Sequence, residues 1–188
     1  MLENKATFFA RLESRLSPSE LTVIRGAYYL AKYGHRAQLR QERDAVTGKQ
    51  LRYFEHVRRV ALILMDEASC FEPSLICAAL LHDSIEDTDD INAEIIELFF
   101  GRGVAQYVQL LTKTTDKLGQ PSYIDKLFSA PWQVVLIKAC DRLDNLRSLH
   151  ECPKAFQEKQ IKETREKYLP LFGQHADDVK NQQDSVFD

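Results

Sequence analysis

The chain has 188 residues, 44% of them apolar and 28% charged, with a net charge of −3. That suits one soluble domain with a sizeable core, and it offers no overall attraction to nucleic acid polymers or anionic membranes. The four cysteines, Cys70, Cys77, Cys140 and Cys152, lack CxxC spacing. Nothing at the N-terminus reads as a signal peptide, and no apolar run is long enough to span a bilayer, so a reduced, cytoplasmic setting without disulfides is expected.

Helical periodicity recurs along the chain and period-two alternation is absent, which predicts an all-α fold. Ser17-Pro18-Ser19-Glu20 combines an N-cap serine, a proline at the first helical position and a glutamate at the third. It should open a helix with Leu21, Ile24, Tyr28 and Ala31 on one face, fading near His35. Residues 38–52 then read as a long, polar, irregular connection, and loops of that length are often functional. A helix is expected over 53–68, with Val57, Val60, Ala61 and Leu64 inward. Pro73 opens another, whose Leu75, Ile76, Ala79 and Leu80 are apolar nearly all round, as in a buried helix. Further helices are predicted over 92–100, 104–114, 132–149 and 153–172. Residues 1–173 form one domain in this reading, and 174–188 a polar tail.

The sharpest chemical feature is His82-Asp83-Ser84-Ile85-Glu86-Asp87-Thr88-Asp89-Asp90, five carboxylates and a histidine delivered by a strongly apolar helix. Unpaired carboxylates cannot be buried cheaply, so these must be solvated, paired with cations or bound to a metal. Taken alone, the segment also admits a blander reading, a helix end running into an acidic surface loop. His56 lies beside Val57 and Val60 near the core side of its helix, where a histidine is more often a packing residue than a ligand. Asp141 sits in the largely apolar run Val134–Asn145, where Lys138 or Arg142 could pair it. A divalent ion held by His56, His82, Asp83 and Asp141 accounts for all three placements at once, and two imidazoles with two carboxylates suit Mn²⁺, Fe²⁺, Zn²⁺ or Co²⁺. If helical turns persist past His82, Glu86 and Asp87 share faces with His82 and Asp83 and point near the ion. Basic residues (His35, Arg36, Arg40, Arg43, Lys49 and Arg52 before His56; Lys138, Arg142, Lys159 and Lys162 later) would offset that acidity and bind phosphates. No Gly-rich P-loop occurs. Cys140 reads as packing rather than as a nucleophile.

The order His56, His82-Asp83, Asp141 resembles the HD superfamily of metal-dependent phosphohydrolases. The run His82–Thr88 is similar to the HDxxEDT motif of the hydrolase domain of Rel/Spo-type alarmone enzymes. Leu111-Thr112-Lys113, the run Lys138–Arg147 (containing DRLxN), Glu163-Thr164 and Tyr168-Leu169-Pro170-Leu171 resemble its later motifs. The resemblance spans about residues 20–172, with no synthetase segment after it, as in the small hydrolase-only enzymes.

It implies a compact helical HD bundle around one ion, usually Mn²⁺, and removal of pyrophosphate from the ribose 3′-oxygen of a nucleotide alarmone. By match, His56, His82, Asp83 and Asp141 would bind metal, and Glu86 and Asp87 would assist catalysis. Asn145 and Ser148 would line the nucleotide site, and Arg40, Lys138, Arg142, Lys162 and Tyr168 would contact phosphate or ribose. The partner implied is a small nucleotide rather than a nucleic acid polymer or membrane, and a homo-oligomer is compatible with it. The family's RKxGxPYxxHP run is replaced by a longer Arg40–His56 segment with Val57 in place of proline. This leaves (p)ppGpp and (p)ppApp equally open. An HD-type 5′-nucleotidase, an NADPH-type cofactor phosphatase and a non-catalytic nucleotide-sensing domain remain the alternatives.

Overall fold

The computed structural model describes residues 4–113 and 122–184. The chain runs through helices α1 (Lys5–Ala10) and α2 (Pro18–Gly34), then strands β1 (Leu39–Arg43) and β2 (Gln50–Arg52). Helices α3 (Phe54–Asp66), α4 (Pro73–Leu81), α5 (Ser84–Asp87), α6 (Ala93–Phe100) and α7 (Arg102–Leu111) follow. After residue 121 come α8 (Tyr123–Phe128), α9 (Trp132–Arg147), a 3₁₀ turn at Leu149–Glu151 and α10 (Lys154–Glu163). A π-helical turn, Thr164–Tyr168, joins α10 to α11 (Leu169–Asp184). The expected all-α bundle is present, and among the described residues no helix is long and apolar enough to cross a membrane.

Local chemistry accounts for the helix starts. Ser17 and Glu20 form a reciprocal capping box at α2, and Asn92 caps α6 by accepting from the Ile95 amide. The short α1 adds to the expected elements; it is opened by Asn4, whose side chain accepts from the Ala6 and Thr7 amides. At the centre lies α4, which packs against α2, α3, α7 and α9. Its Leu75, Ile76, Ala79 and Leu80 are fully buried. Each large side chain among them contributes about 1.5–3 kcal/mol, which fixes where the end of α4 is delivered. Gly34 closes α2 tightly: a Cβ there would lie 2.6 Å from Ile91 Cδ1, so the end of α2 can press onto the segment after α5.

Two expectations are corrected. The stretch 38–52 is a β-hairpin, not an irregular connection: β1 and β2 pair antiparallel, Leu39 opposite Arg52 and Arg43 opposite Gln50, with an irregularity between. Its turn is built by Asp44, whose Oδ1 accepts from the Val46 and Thr47 amides, and by Gly48 at φ +67°. This is neither of the short Asn-Gly or Asp-Gly turns that mark a hairpin in sequence. The second correction concerns 174–188: α11 continues through Asp184, anchored by buried His175 and by Gln174, whose amide donates to the Phe128 carbonyl. Residues 185–188, and Thr114 at the end of a predicted helix, lie outside the described residues.

Candidate metal centre and cleft

His56 projects from the first turn of α3, His82 and Asp83 from the end of α4, and Asp141 from the middle of α9. Packing of α3 against both α4 and α9 brings the three together. One ligand atom each from His56, His82 and Asp83 lies within 4.8 Å of the others, a His/His/Asp group able to hold a metal ion. Asp141 stands outside that tightest group, yet its Oδ1 is 3.2 Å from His56 Nε2 and 3.8 Å from His82 Nε2. Asp83 Oδ2 is 3.5 Å and 2.9 Å from the same two nitrogens.

The hydrogen bonds around this group decide its chemistry. His56 Nδ1 faces Asp144 Oδ2 at 2.7 Å and His82 Nδ1 faces the Ala79 carbonyl at 2.8 Å. A carboxylate and a carbonyl only accept, so both imidazoles carry their proton on Nδ1 and turn an Nε2 lone pair inward. Both Nε2 atoms are buried without a hydrogen bond and face carboxylate oxygens. Acceptors converging on acceptors in a buried volume need a cation between them, and these donors fit a divalent one.

Without an ion, protons must supply that charge. Burial alone would lower the two imidazoles. The Asp141, Asp144 and Asp83 carboxylates outweigh it, raising His56 to about 9, and Asp83 and Asp141 raise His82 to about 10. Burial raises Asp83 and Asp141, but His82, His56 and Lys138 hold both well below the usual carboxylate range. Raised imidazoles stabilise the fold fully below about pH 6.5, and this is lost as pH climbs through 9 to 10; the lowered carboxylates contribute above about pH 4 and fail in acid. The metal-free protein is therefore expected to melt highest between about pH 4 and 6.5 and progressively lower toward pH 10. A melting temperature flat from pH 5 to 10 would contradict the arrangement.

From this centre a cleft of about 610 Å³ opens between β1, α9 and α10, large enough for a nucleotide. Arg40, Lys138, Arg142, Asn145 and Ser148 all line it. Arg40 donates to Asn145 Oδ1 at 3.1 and 3.2 Å and to Ser148 Oγ at 3.0 Å, and Asn145 Nδ2 donates to Asp141 Oδ1 at 2.6 Å. Lys138 is buried with Nζ 2.7 Å from Asp141 Oδ2. Arg142 instead turns to Gln160 and Glu163 on α10.

Other predicted residues fall elsewhere. Gln160 and Glu163 share the cleft face of α10, which puts Lys162 on the opposite side, exposed and 3.9 Å from Glu166. Tyr168 is buried beneath Arg142, whose guanidinium carbon is 3.9 Å from its ring centroid, so it supports the cleft without lining it. Of the basic cluster before His56, only Arg40 lines the cleft; Arg36 pairs with Asp90 and Arg43 with the Gly48 carbonyl. The helix also breaks at His82–Asp83, so Glu86 and Asp87 lie exposed on the separate turn α5, and neither is among the residues that line the cleft. Glu86 accepts from the Lys113 amide at 2.9 Å, whereas burial, followed by the Asp83 and Glu86 charges, raises the Asp87 carboxyl. Burial pushes the Cys140 thiol up to about 12, in keeping with a packing role.

Several contributors were not read from the sequence. Tyr53 donates to Asp83 Oδ2 at 2.7 Å, and Asp144 and Arg59 back His56. The signal was available as spacing: Tyr53 and Arg59 lie three residues either side of His56, and Asp144 three after Asp141, each on the same helical face.

A family model described as HD domain matches residues 27–176. The chain belongs to the HD domain family. Its likeness to individual members extends over most of the domain. It is 31% identical over 186 residues to a probable guanosine-3′,5′-bis(diphosphate) 3′-pyrophosphohydrolase of Mycoplasma genitalium, covering 91% of this chain and 24% of that one. It is 39% identical over 168 residues to the Aquifex aeolicus protein of that activity, covering 85% and 23%. This HD domain thus spans about a quarter of the length of those relatives. Human guanosine-3′,5′-bis(diphosphate) 3′-pyrophosphohydrolase MESH1 is 34% identical over 149 residues, with 77% of this chain and 80% of MESH1 covered. A solved structure of a metazoan ortholog of SpoT, described as hydrolysing ppGpp, superposes with a TM-score of 0.63 at 27% identity, covering 89% of this chain and 98% of that one.

Proposed function

We propose that this chain is a metal-dependent hydrolase that removes the 3′-pyrophosphate of nucleotide alarmones such as ppGpp, and that the working ion is Mn²⁺. The observation that carries the reading is the pair of inward-facing Nε2 atoms without hydrogen bonds and two carboxylates, one of which, Asp141, lines a cleft together with Arg40, Lys138 and Arg142. Similarity to proteins named for ppGpp hydrolysis supports the substrate class.

In this reading His56, His82, Asp83 and Asp141 hold the ion, which when bound supplies Lewis-acid polarisation and a water of lowered pKa. Water attacks the phosphorus attached to the ribose 3′-oxygen, the O3′–P bond breaks, and pyrophosphate and a 3′-hydroxyl result. Asp87, whose carboxyl is raised by burial and by the Asp83 and Glu86 charges, gives the proton to the departing 3′-oxygen. Glu86, steadied by the Lys113 amide, orients the attacking water. Arg40, Lys138 and Arg142 balance the phosphate charge, and Asn145 and Ser148 border the ribose. Lys162 and Tyr168 have no direct contact in this scheme.

The test is incubation of purified protein and Mn²⁺ with ppGpp and ppApp, assaying released phosphate species. Pyrophosphate with the 5′-diphosphate nucleoside is expected. Orthophosphate instead would point to a nucleotidase, and absence of turnover with every alarmone would refute the reading. Arg40→Ala should raise KM about 10- to 100-fold with kcat little changed, since a charge-assisted contact to a phosphate contributes about 1.5–3 kcal/mol to binding; steady-state kinetics checks this.

A further inference from the structure

A second set of charged groups runs from the metal centre to the hairpin wall of the cleft, and no catalytic or binding role accounts for it. We propose that Glu42, Arg59 and Asp144 form a positioning relay that sets the tautomer and orientation of His56 and ties both to the hairpin wall of the cleft. The inference rests on the metal-site reading above.

Asp144 is 2% exposed, and an ionised carboxylate so buried persists only if its oxygens are satisfied by donors. One donor is His56 Nδ1, 2.7 Å from Oδ2; the bond commits the imidazole proton to Nδ1 and turns Nε2 toward Asp83 and Asp141. The other is Arg59, which grips the carboxylate with both arms, Nε to Oδ1 at 2.6 Å and Nη2 to Oδ2 at 3.1 Å. Such a planar two-point contact fixes the carboxylate's direction as well as its charge. Arg59 then reaches Glu42 on β1, Nη2 to Oε2 at 2.7 Å. Glu42 lies two residues from Arg40, so both side chains share the inward face of the strand, as the alternating burial of β1 records.

The consequence is a doubly tethered hairpin. From Arg40, hydrogen bonds run through Asn145 to Asp141. From Glu42, they run through Arg59 and Asp144 to His56. Strand β1, which borders the nucleotide cleft, is thereby joined to two groups facing the ion. Metal affinity should depend on a residue, Glu42, that cannot reach the metal, and by linkage a nucleotide seated against β1 should feel the ion.

The test is calorimetric titration of purified wild-type and variant protein with MnCl₂ alone, with melting curves in chelator recorded in parallel. Asp144→Asn keeps an acceptor of the same shape for His56 while removing the charge that holds Arg59. It should weaken Mn²⁺ binding about 10- to 100-fold, the usual effect of losing a group that orients a ligand. Glu42→Gln should weaken it about fivefold or more with a native melting curve, and it decides the matter if Asp144→Asn does not fold. Arg11→Gln severs a pair with Asp66, 2.9 Å apart, that ties the end of α1 to the end of α3, and it should leave Mn²⁺ affinity unchanged. Wild-type affinity in Asp144→Asn or in Glu42→Gln, or an equal loss in Arg11→Gln, would overturn the relay. A wild-type protein that binds no Mn²⁺ would overturn the relay and the metal centre together. Mn²⁺ binding with the predicted variant pattern but without alarmone hydrolysis would uphold the relay and remove only the substrate assignment.

Discussion

His82→Ala is expected to abolish measurable Mn²⁺ binding and to lower kcat/KM for ppGpp at least about a thousandfold, about 4 kcal/mol of transition-state stabilisation. The size of the effect follows from how little else this imidazole does. Its Nδ1 is held by the Ala79 carbonyl within the same turn, its ring is 1% exposed, and its Nε2 has no hydrogen-bond partner. The ring is therefore preorganised to present one lone pair to the group formed with His56 and Asp83. Alanine leaves two carboxylates and one imidazole around the ion. Metal content after dialysis, steady-state kinetics in Mn²⁺ and a melting curve separate lost ligation from lost folding. Activity within tenfold of wild type in a folded variant would exclude His82 from the centre.

Lys138→Met should destabilise the metal-free protein by about 3–5 kcal/mol, because it strands the Asp141 carboxylate without its ammonium partner in a buried place. Lys138 is 4% exposed, with Nζ 2.7 Å from Asp141 Oδ2 and 5.6 Å from the Tyr123 ring centroid. Burial favours the neutral amine, but the Asp141 charge outweighs it, so Lys138 stays protonated. For a domain of this size the melting temperature should fall by about 10 °C or more. Saturating Mn²⁺ should restore part of that loss, since an ion beside Asp141 supplies positive charge from the other face. A fall that Mn²⁺ leaves untouched would mean that Lys138 matters only for packing. Chelator and Mn²⁺ melting curves of both proteins distinguish the two.

Legibility in the sequence followed how local each signal was. Helices α2, α3, α4, α6, α7 and α9 were readable because each carries a cap, a proline start or an apolar stripe within a few residues. The hairpin was not, because β1 is Leu-Arg-Gln-Glu-Arg, polar on both faces, and its turn depends on an Asp44 side chain bonding over several residues. Its inward face is defined by Asn145, Ser148 and Arg59, residues remote in sequence that give Arg40 and Glu42 something to bind. Asp144 illustrates the same limit. It reads as an ordinary helix charge beside Asn145, yet it is 2% exposed and bonded to a histidine 88 residues away.

The family, the helical class and the set of residues rich enough in imidazole and carboxylate to hold a divalent ion are all legible in the amino-acid order. Those properties reside in residue types and short spacings, which survive without coordinates. Tertiary structure decided the orientations. The packing of α3, α4 and α9 turns two Nε2 lone pairs onto two carboxylates and commits each Nδ1 to an acceptor, and the face that α10 presents to the cleft leaves Lys162 outside it. Direction in space is set by which helix faces are buried together, and that follows from burying the whole core at once rather than from any single segment.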